Sequence, residues 1–277
     1  MGSLIVDTPV AIGRISDHGA QVLQWQPSGA EPVIWLSSHA VFARDVAIRG
    51  GVPICFPWFG AGRSGAMSPA HGFARLVTWP CTATTEQDGM VAVEHVLTQE
   101  QAVDPQFPYR YRMTSTASFG DELTLTLLVE NTDATPFSFE VALHTYLAVG
   151  DASSVSIVGL EGAEYHDKLL DRHVVQAGPV IFDGEVDRVY SSTSDVILRD
   201  PALARSVTIA KSGSASTIVW NPWVDKSRAM ADFGDEEWRD MVCVETGNVG
   251  DRAITLHPGE AHEMKVIVSV SSHRPTS

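Results

Sequence analysis

Residues Tyr109–Glu130 read YRYRMTSTASFGDELTLTLLVE, and the period of their side chains decides the fold. Leu123, Leu125, Leu127 and Val129 alternate with Thr124, Thr126, Leu128 and Glu130. A period of two puts the first set on one face of an extended strand, whereas a helix would need apolar residues three and four apart. Gly120-Asp121 is a turn dipeptide between arms Tyr109–Phe119 and Glu122–Glu130. Such a pattern specifies an antiparallel hairpin with one buried and one wetter face.

The same grammar recurs in both directions. Gly19–Gln26 reads as a strand closed by Pro27-Ser28-Gly29, and Glu31–Ser37 as another. Ser206–Ala210 and Ser216–Trp220 flank Lys211–Ser214, and Ala253–His257 and His262–Ser271 flank Pro258-Gly259-Glu260. Short helices are expected at Val41–Val46, Leu97–Ala102 and Asp235–Asp240. The chain has no internal repeat, low-complexity block or linker. Many antiparallel strands without a break predict a single all-β domain over residues 1–277, a large antiparallel β-sandwich.

Two strands carry groups that an ordinary strand would not. In Asp240–Val249, DMVCVETGNV, Glu245 shares a face with Met241 and Cys243, while Val242, Val244 and Thr246 take the other. A carboxylate among such neighbours is costly to bury unless it is paired or has chemical work to do, and the strand itself leaves a salt-bridged Glu and a catalytic one both open. In Phe137–Asp151, FSFEVALHTYLAVGD, Phe137, Phe139, Val141 and Leu143 form an oily face; Glu140, His144 and Tyr146 lie on the opposite one. A lone half-buried His of this kind is commonly a hydrogen-bonded structural residue.

Two further stretches interrupt the strands. Arg49–Arg75, RGGVPICFPWFGAGRSGAMSPAHGFAR, is rich in Gly and Pro and can hold no long regular element, yet Phe56, Trp58 and Phe59 argue for order. Gly60, Gly62 and Gly65 inside it spell G-x-G-x-x-G, but Pro53, Pro57 and Pro69 deny it the strand and helix that a dinucleotide site requires. Trp220–Asp232, WNPWVDKSRAMAD, sets two Trp beside Asn, Asp and Lys, which suits either plain packing or a platform for a sugar ring.

Totals narrow the chemistry. The chain of 277 residues has a net charge of −15, which argues against a nucleic-acid surface and requires any anionic ligand to be held by a local basic cluster. Three cysteines without C-x-x-C, and an N-terminus without a basic and apolar leader, point to reduced thiols in the cytoplasm. No apolar run approaches the length of about 18 residues needed to cross a membrane. There is no P-loop, G-x-S-x-G or H-E-x-x-H. His257 and His262 straddle a turn, and His166 and His173, with Asp167 and Asp171 nearby, lack a recognised ligand spacing, so a solvated loop is favoured there over a metal.

Taken together, RGGVPICFPWFG, HGFAR, ALHTYLAVGD, GEVDRVY, WNPWVDKSRAMADF and MVCVETGNV, in that order, resemble the hexose-6-phosphate mutarotase (glucose-6-phosphate 1-epimerase) branch of the aldose 1-epimerase superfamily. The resemblance implies a galactose-mutarotase-type β-supersandwich. It makes His144 the general acid and Glu245 the general base. It assigns substrate binding to Arg49, His71, Arg75, Asp187 and Trp220, with Arg49 and Arg75 on the phosphate. It implies no cofactor and no metal, and a small-molecule sugar phosphate as partner of a monomer or weak dimer. The branch often has Gln immediately before HGFAR, where this sequence has Ala70.

The residues suit that chemistry. Mutarotation opens a pyranose by taking the anomeric proton and protonating the ring oxygen, then recloses it on the other face; it needs one acid and one base. Glu245 must be ionised to act, so its pKa is expected to be raised by the apolar strand but held below neutrality by nearby donors. His144 is expected to be protonated, supported by Glu140 or by Glu245 itself. Arg49 and Arg75 frame one irregular loop and each offers a phosphate-matching fork, although two surface ion pairs would look the same. A free-sugar epimerase and a non-catalytic sugar-binding module remain as alternatives.

Overall fold

The hairpin at Tyr109–Glu130 forms as its period predicts. In the computed structural model, which describes residues 2–272, strands Tyr111–Phe119 and Leu123–Asn131 pair in unbroken antiparallel register from Tyr111↔Asn131 to Phe119↔Leu123. Leu123, Leu125, Leu127 and Val129 are buried and the residues between them are half-buried.

This hairpin lies inside a nine-stranded antiparallel sheet that runs from Val180–Ile181 at one edge to Cys81–Gln87 at the other. A second sheet of eight strands has Ser216–Asn221 and Met241–Asn248 at its centre. Facing side chains from both sheets, among them Leu97, Met113 and Leu125 from one and Val219, Val242 and Val244 from the other, form one continuous core. A three-stranded sheet (Ser3–Asp7, Ala11–Ser16, Gln21–Pro27) and a two-stranded one (Phe137–Phe139, Ile254–Leu256) complete the strands.

Met241–Asn248 is buried along its whole length. Its two faces separate as the period predicts: Val242 and Val244 enter the main core, while Met241 and Cys243 pack with Trp35, Tyr146, Trp220, Phe233 and Trp238 in a second cluster. Glu245 therefore lies on the aromatic face.

Several boundaries differ from expectation. Glu31–Ser37 is not a continuous strand; it contributes only single bridges, Ile34 to Leu147 and Leu36 to Gly50. Phe137–Asp151 breaks into Phe137–Phe139, Val141–Leu143 and Tyr146–Ala148, and His144 sits in the second break. The strands on either side of Pro258-Gly259-Glu260 turn as expected but join different sheets: Ile254–Leu256 pairs with Phe137–Phe139, and Ala261–Ser272 with Leu123–Asn131. Of the expected helices, Val41–Val46 is irregular and Leu97–Ala102 is the end of strand Met90–Thr98 followed by a turn. Asp235–Asp240 holds only the short 3₁₀ turn Glu237–Arg239. The α-helix among the described residues is Trp223–Ala229, inside the stretch read as a sugar platform. With seven residues it is too short to show a helical period, but Asp225 in its first turn and Lys226 and Arg228 in its last complement the helix dipole.

Arg49–Arg75 is irregular apart from Ile54–Cys55 and the turn Ala74–Leu76. Gly72 is what lets it fold back on itself: its φ is +74°, and a Cβ there would meet the Phe56 carbonyl oxygen at 2.0 Å. No helix follows Gly60-Ala61-Gly62, so the glycine motif is turn geometry and not a nucleotide cradle.

Candidate active site

Glu245 and His144 meet. Strand Met241–Asn248 pairs with Val141–Leu143 on one side of the break and with Tyr146–Ala148 on the other, so the break itself carries His144 across the face of Glu245. His144 Nε2 lies 3.4 Å from Glu245 Oε1. The ring is clamped, stacked on Tyr146 at 4.8 Å between centroids and edge-on to Trp220 at 6.2 Å.

The pair forms the floor of a pocket of about 190 Å³, comparable to a single pyranose ring. Arg49, His71, Asp187 and Trp220, four of the expected binding residues, also line it. Asp187 projects from strand Val186–Ser191, whose neighbour Ser216–Asn221 presents Trp220 directly opposite. His71 comes from the Gly/Pro-rich loop. Its φ of +67° is unusual for a residue with a Cβ, and its N–H donates to the Gly60 carbonyl at 2.7 Å. Arg75 is placed differently: it is not among the lining residues, and its Nη2 donates to the Ala70 carbonyl at 2.9 Å. It still acts on the site as a charge, being the strongest charged influence on His71.

Two further cations line the pocket: Lys168, which sequence reasoning missed, and Lys226, the lysine of the Trp220–Asp232 stretch. Lys168 sits just beyond strand Glu164–Asp167, in a run of charged residues that reads as a solvated loop; Lys226 is on the short helix. Each cation at the pocket holds a carboxylate. Arg49 forks onto Asp232 through Nε and Nη2, both at 3.2 Å, and donates to the Tyr146 hydroxyl at 3.1 Å. Lys168 pairs with Asp187 at 3.3 Å and Lys226 with Glu185 at 2.6 Å.

Electrostatics of the floor differ from the expected ion pair. Burial pushes the Glu245 carboxyl well above its ordinary range; Asp187 adds to this, and Lys168 and Arg75 oppose it. The donors expected to hold it ionised are absent, because Oε2 is buried without a hydrogen-bond partner. Burial lowers His144 well below the ordinary imidazole value, with His71, Arg75 and Arg49 adding to the effect. Glu140 gives His144 no support, since its carboxylate accepts from the backbone N–H groups of Phe59 and Gly250 at 3.2 and 2.6 Å. Desolvation thus works against the charged form of both groups, raising Glu245 and lowering His144.

A pH dependence follows. The working pair carries one proton, and a second enters only when the imidazole charges below its ordinary value of 6.5. The rate is expected to stay level as pH falls through 6.5 and to drop only in more acid solution, as read from initial rates of anomer exchange. An acid limb centred at or above 6.5 would contradict the desolvated pair.

His144, Cys243 and Glu245 are also the one trio among the described residues spaced as ligands of a cation could be, with candidate atoms within 4.8 Å of one another. The thiol would have to ionise, and burial and the neighbouring Glu245 raise its pKa well above the usual value. Acid–base chemistry therefore fits these residues better than coordination.

A supersandwich of antiparallel strands with a carboxyl–imidazole pair under a pyranose-sized pocket defines an acid–base sugar isomerase of the mutarotase class. The aldose 1-epimerase family description matches residues 13–269, and the chain belongs to that family. A relative from Cenchrus ciliaris carrying the provisional name glucose-6-phosphate 1-epimerase is 36% identical, over 91% of this chain and 79% of its own. One from Escherichia coli K12 with the same provisional name is 34% identical, over 94% and 87%. The crystal structure of a provisionally named mutarotase from Salmonella typhimurium superposes with a TM-score of 0.91 at 30% identity, covering 98% of this chain and 90% of that one. No helix among the described residues is long and apolar enough to cross a membrane.

Proposed function

We propose that the protein interconverts the α and β anomers of a hexose 6-phosphate, glucose 6-phosphate foremost. The observation that carries this reading is the His144–Glu245 contact at 3.4 Å beneath a pocket lined by three cations, Arg49, Lys168 and Lys226, in a chain of net charge −15. Glu245 takes the anomeric proton, His144 protonates the ring oxygen, the open aldehyde rotates, and the two groups reverse roles for closure. Asp187 and Trp220 hold hydroxyls and a sugar face, His71 donates from the opposite wall, and Arg49, with Arg75 contributing charge, receives the phosphate. The names of the relatives support the phosphorylated substrate.

One observation favours a second reading. All three pocket cations already have carboxylate partners, so the pocket is closer to neutral than its lining suggests. A free aldose would need no net positive charge. Anomer exchange measured by NMR on glucose 6-phosphate and on glucose separates the two: acceleration of the phosphate ester is expected, and acceleration of glucose alone would replace the proposal. If neither sugar exchanges faster than in buffer, a sugar-binding module is the remaining reading. The proposal extends to a monomer or weak dimer acting in the cytoplasm.

A further inference from the structure

The row of side chains that begins at Glu245 continues beyond the active site. In the eight-stranded sheet Glu245 stands opposite Ile218, Ile218 opposite Val189, Val189 opposite His166, and His166 opposite His173. Directly paired residues share a face of the sheet, so the row is continuous. Its first two members line the pyranose-sized pocket, and its last three line a second cavity of about 570 Å³. Phe59 and Lys168 line both and mark the boundary. We propose that this second cavity is a subsite for another sugar ring, so that the site accepts a reducing disaccharide, linked through the C4 hydroxyl, with its reducing ring over His144 and Glu245.

Neighbouring strands lie about 4.8 Å apart, so Val189 is about 10 Å from Glu245 along the row. The C4 hydroxyl lies across a pyranose from the anomeric carbon. With that carbon at Glu245, C4 points down the row toward Val189. The floor there is apolar, since Val189 and Phe59 pack against the cluster that holds Ile218 and Val249. The far wall carries His166 and His173, whose rings stack at 5.1 Å with 17° between their planes. Both are anchored: His166 Nε2 lies 3.0 Å from the Asp171 carboxylate, and His173 Nδ1 lies 3.0 Å from that of Glu164. Flat, held rings beside an apolar floor, with a few polar groups around them, suit the C–H face and the hydroxyls of a sugar. The sequence reads these histidines as part of a solvated loop; they stand instead on the paired strands Glu164–Asp167 and Arg172–Val175.

Charge selects the ligand. Arg63 on the cavity wall faces Asp251 at 4.0 Å, Lys168 holds Asp187 at 3.3 Å, and the two imidazoles face Asp171 and Glu164. With most of its basic groups matched by carboxylates, the cavity has little net charge to offer a second phosphate and suits neutral hydroxyls. Arg49, proposed for the phosphate, lines the smaller pocket and not this one. The phosphate and the second ring therefore use different walls.

This inference rests on anomer exchange over His144 and Glu245, and its test separates the two. Maltose and glucose, both unphosphorylated, are compared as inhibitors of glucose 6-phosphate exchange by the full-length protein. Maltose is expected to bind about tenfold more tightly, the effect of burying roughly 55 Å² of sugar C–H surface, and its own anomers to exchange. Val189→Trp, which fills the cavity, and His166→Ala, which removes half of the stacked wall at a partly exposed position, should each bring maltose to within about twofold of glucose, with KM for glucose 6-phosphate near the wild-type value. Maltose binding no tighter than glucose would overturn the proposal, as would His166→Ala keeping the full advantage of maltose. Tight binding of maltose without exchange of its anomers would also overturn it, because the reducing ring would then lie away from the pair. Should the wild type exchange no sugar anomers at all, the functional reading fails, while titration of maltose and glucose followed by the ¹⁵N-histidine signals of the protein still decides the subsite.

Discussion

Glu245→Gln is expected to leave the binding of the sugar phosphate near its wild-type level and to lower the rate of anomer exchange by about 10²- to 10⁴-fold. The amide has the shape of the carboxyl but cannot take the anomeric proton. The same substitution should stabilise the protein in alkaline solution. Glu245 is fully buried, its Oε2 has no partner, and its pKa is raised by desolvation first and by Asp187 second. A carboxyl whose folded pKa exceeds its unfolded one binds its proton preferentially in the folded state. Its contribution is then most favourable below the unfolded value and is lost as pH rises through the folded one. The amide lacks this cost, so its advantage grows with pH and disappears below the unfolded carboxyl value. Each unit by which the folded pKa exceeds the unfolded one is worth about 1.4 kcal/mol, and each kcal/mol moves Tm by roughly 2–4 °C in a protein of this size, so melting at pH 8 should rise by several degrees. Melting curves at pH 8 and pH 5, with exchange rates on the same samples, provide the check. A variant less stable at pH 8 would identify Glu245 as half of a structural salt bridge, and an unchanged rate would remove it from the chemistry.

That the sequence leaves Glu245 undecided has a physical reason. Period-two alternation places it on the face of Met241 and Cys243, and the structure agrees, but alternation is blind to what lies across the sheet. The deciding neighbour arrives because Phe137–Asp151 is broken, and nothing in FSFEVALHTYLAVGD signals a break before His144. The rise in the Glu245 pKa was legible for the opposite reason, since the apolar strand that causes it is local, whereas the occupation of Glu140 by the backbone of Phe59 and Gly250 is not. The hairpin at Tyr109–Glu130 was legible because both its faces and its turn are local. The short helix Trp223–Ala229 was not, since seven residues give no period to read. Lys226 on that helix and Lys168 beyond strand Glu164–Asp167 are ordinary exposed lysines in sequence; they become pocket residues only where the eight-stranded sheet brings its strands together.

The placement of those lysines leads to the last expectation, that Arg49→Met raises KM for the hexose 6-phosphate by on the order of ten- to a hundredfold, the value of a charge-assisted hydrogen bond, while exchange of free glucose changes little. Arg49 is suited to this because its guanidinium is already immobilised. Asp232 takes one edge and the Tyr146 hydroxyl another, leaving its remaining N–H groups oriented over the pocket with little entropy to lose. Lys226 and Lys168 are more exposed point charges on flexible stems, and each already serves a carboxylate, so Lys226→Met and Lys168→Met should cost less. Arg75→Met should cost least among the four if the phosphate lies on the Arg49 side, because Arg75 is outside the lining and spends one amino group on the Ala70 carbonyl. KM values for both sugars, with melting temperatures to identify variants that lose the Asp232–Tyr146 anchorage, order the four residues. If Arg75→Met instead has the largest effect, the phosphate lies on the Ala70 side of the pocket, where the related branch often carries Gln. Equal losses for both sugars at Arg49 would make it a strut between Asp232 and Tyr146 and favour the unphosphorylated aldose as substrate.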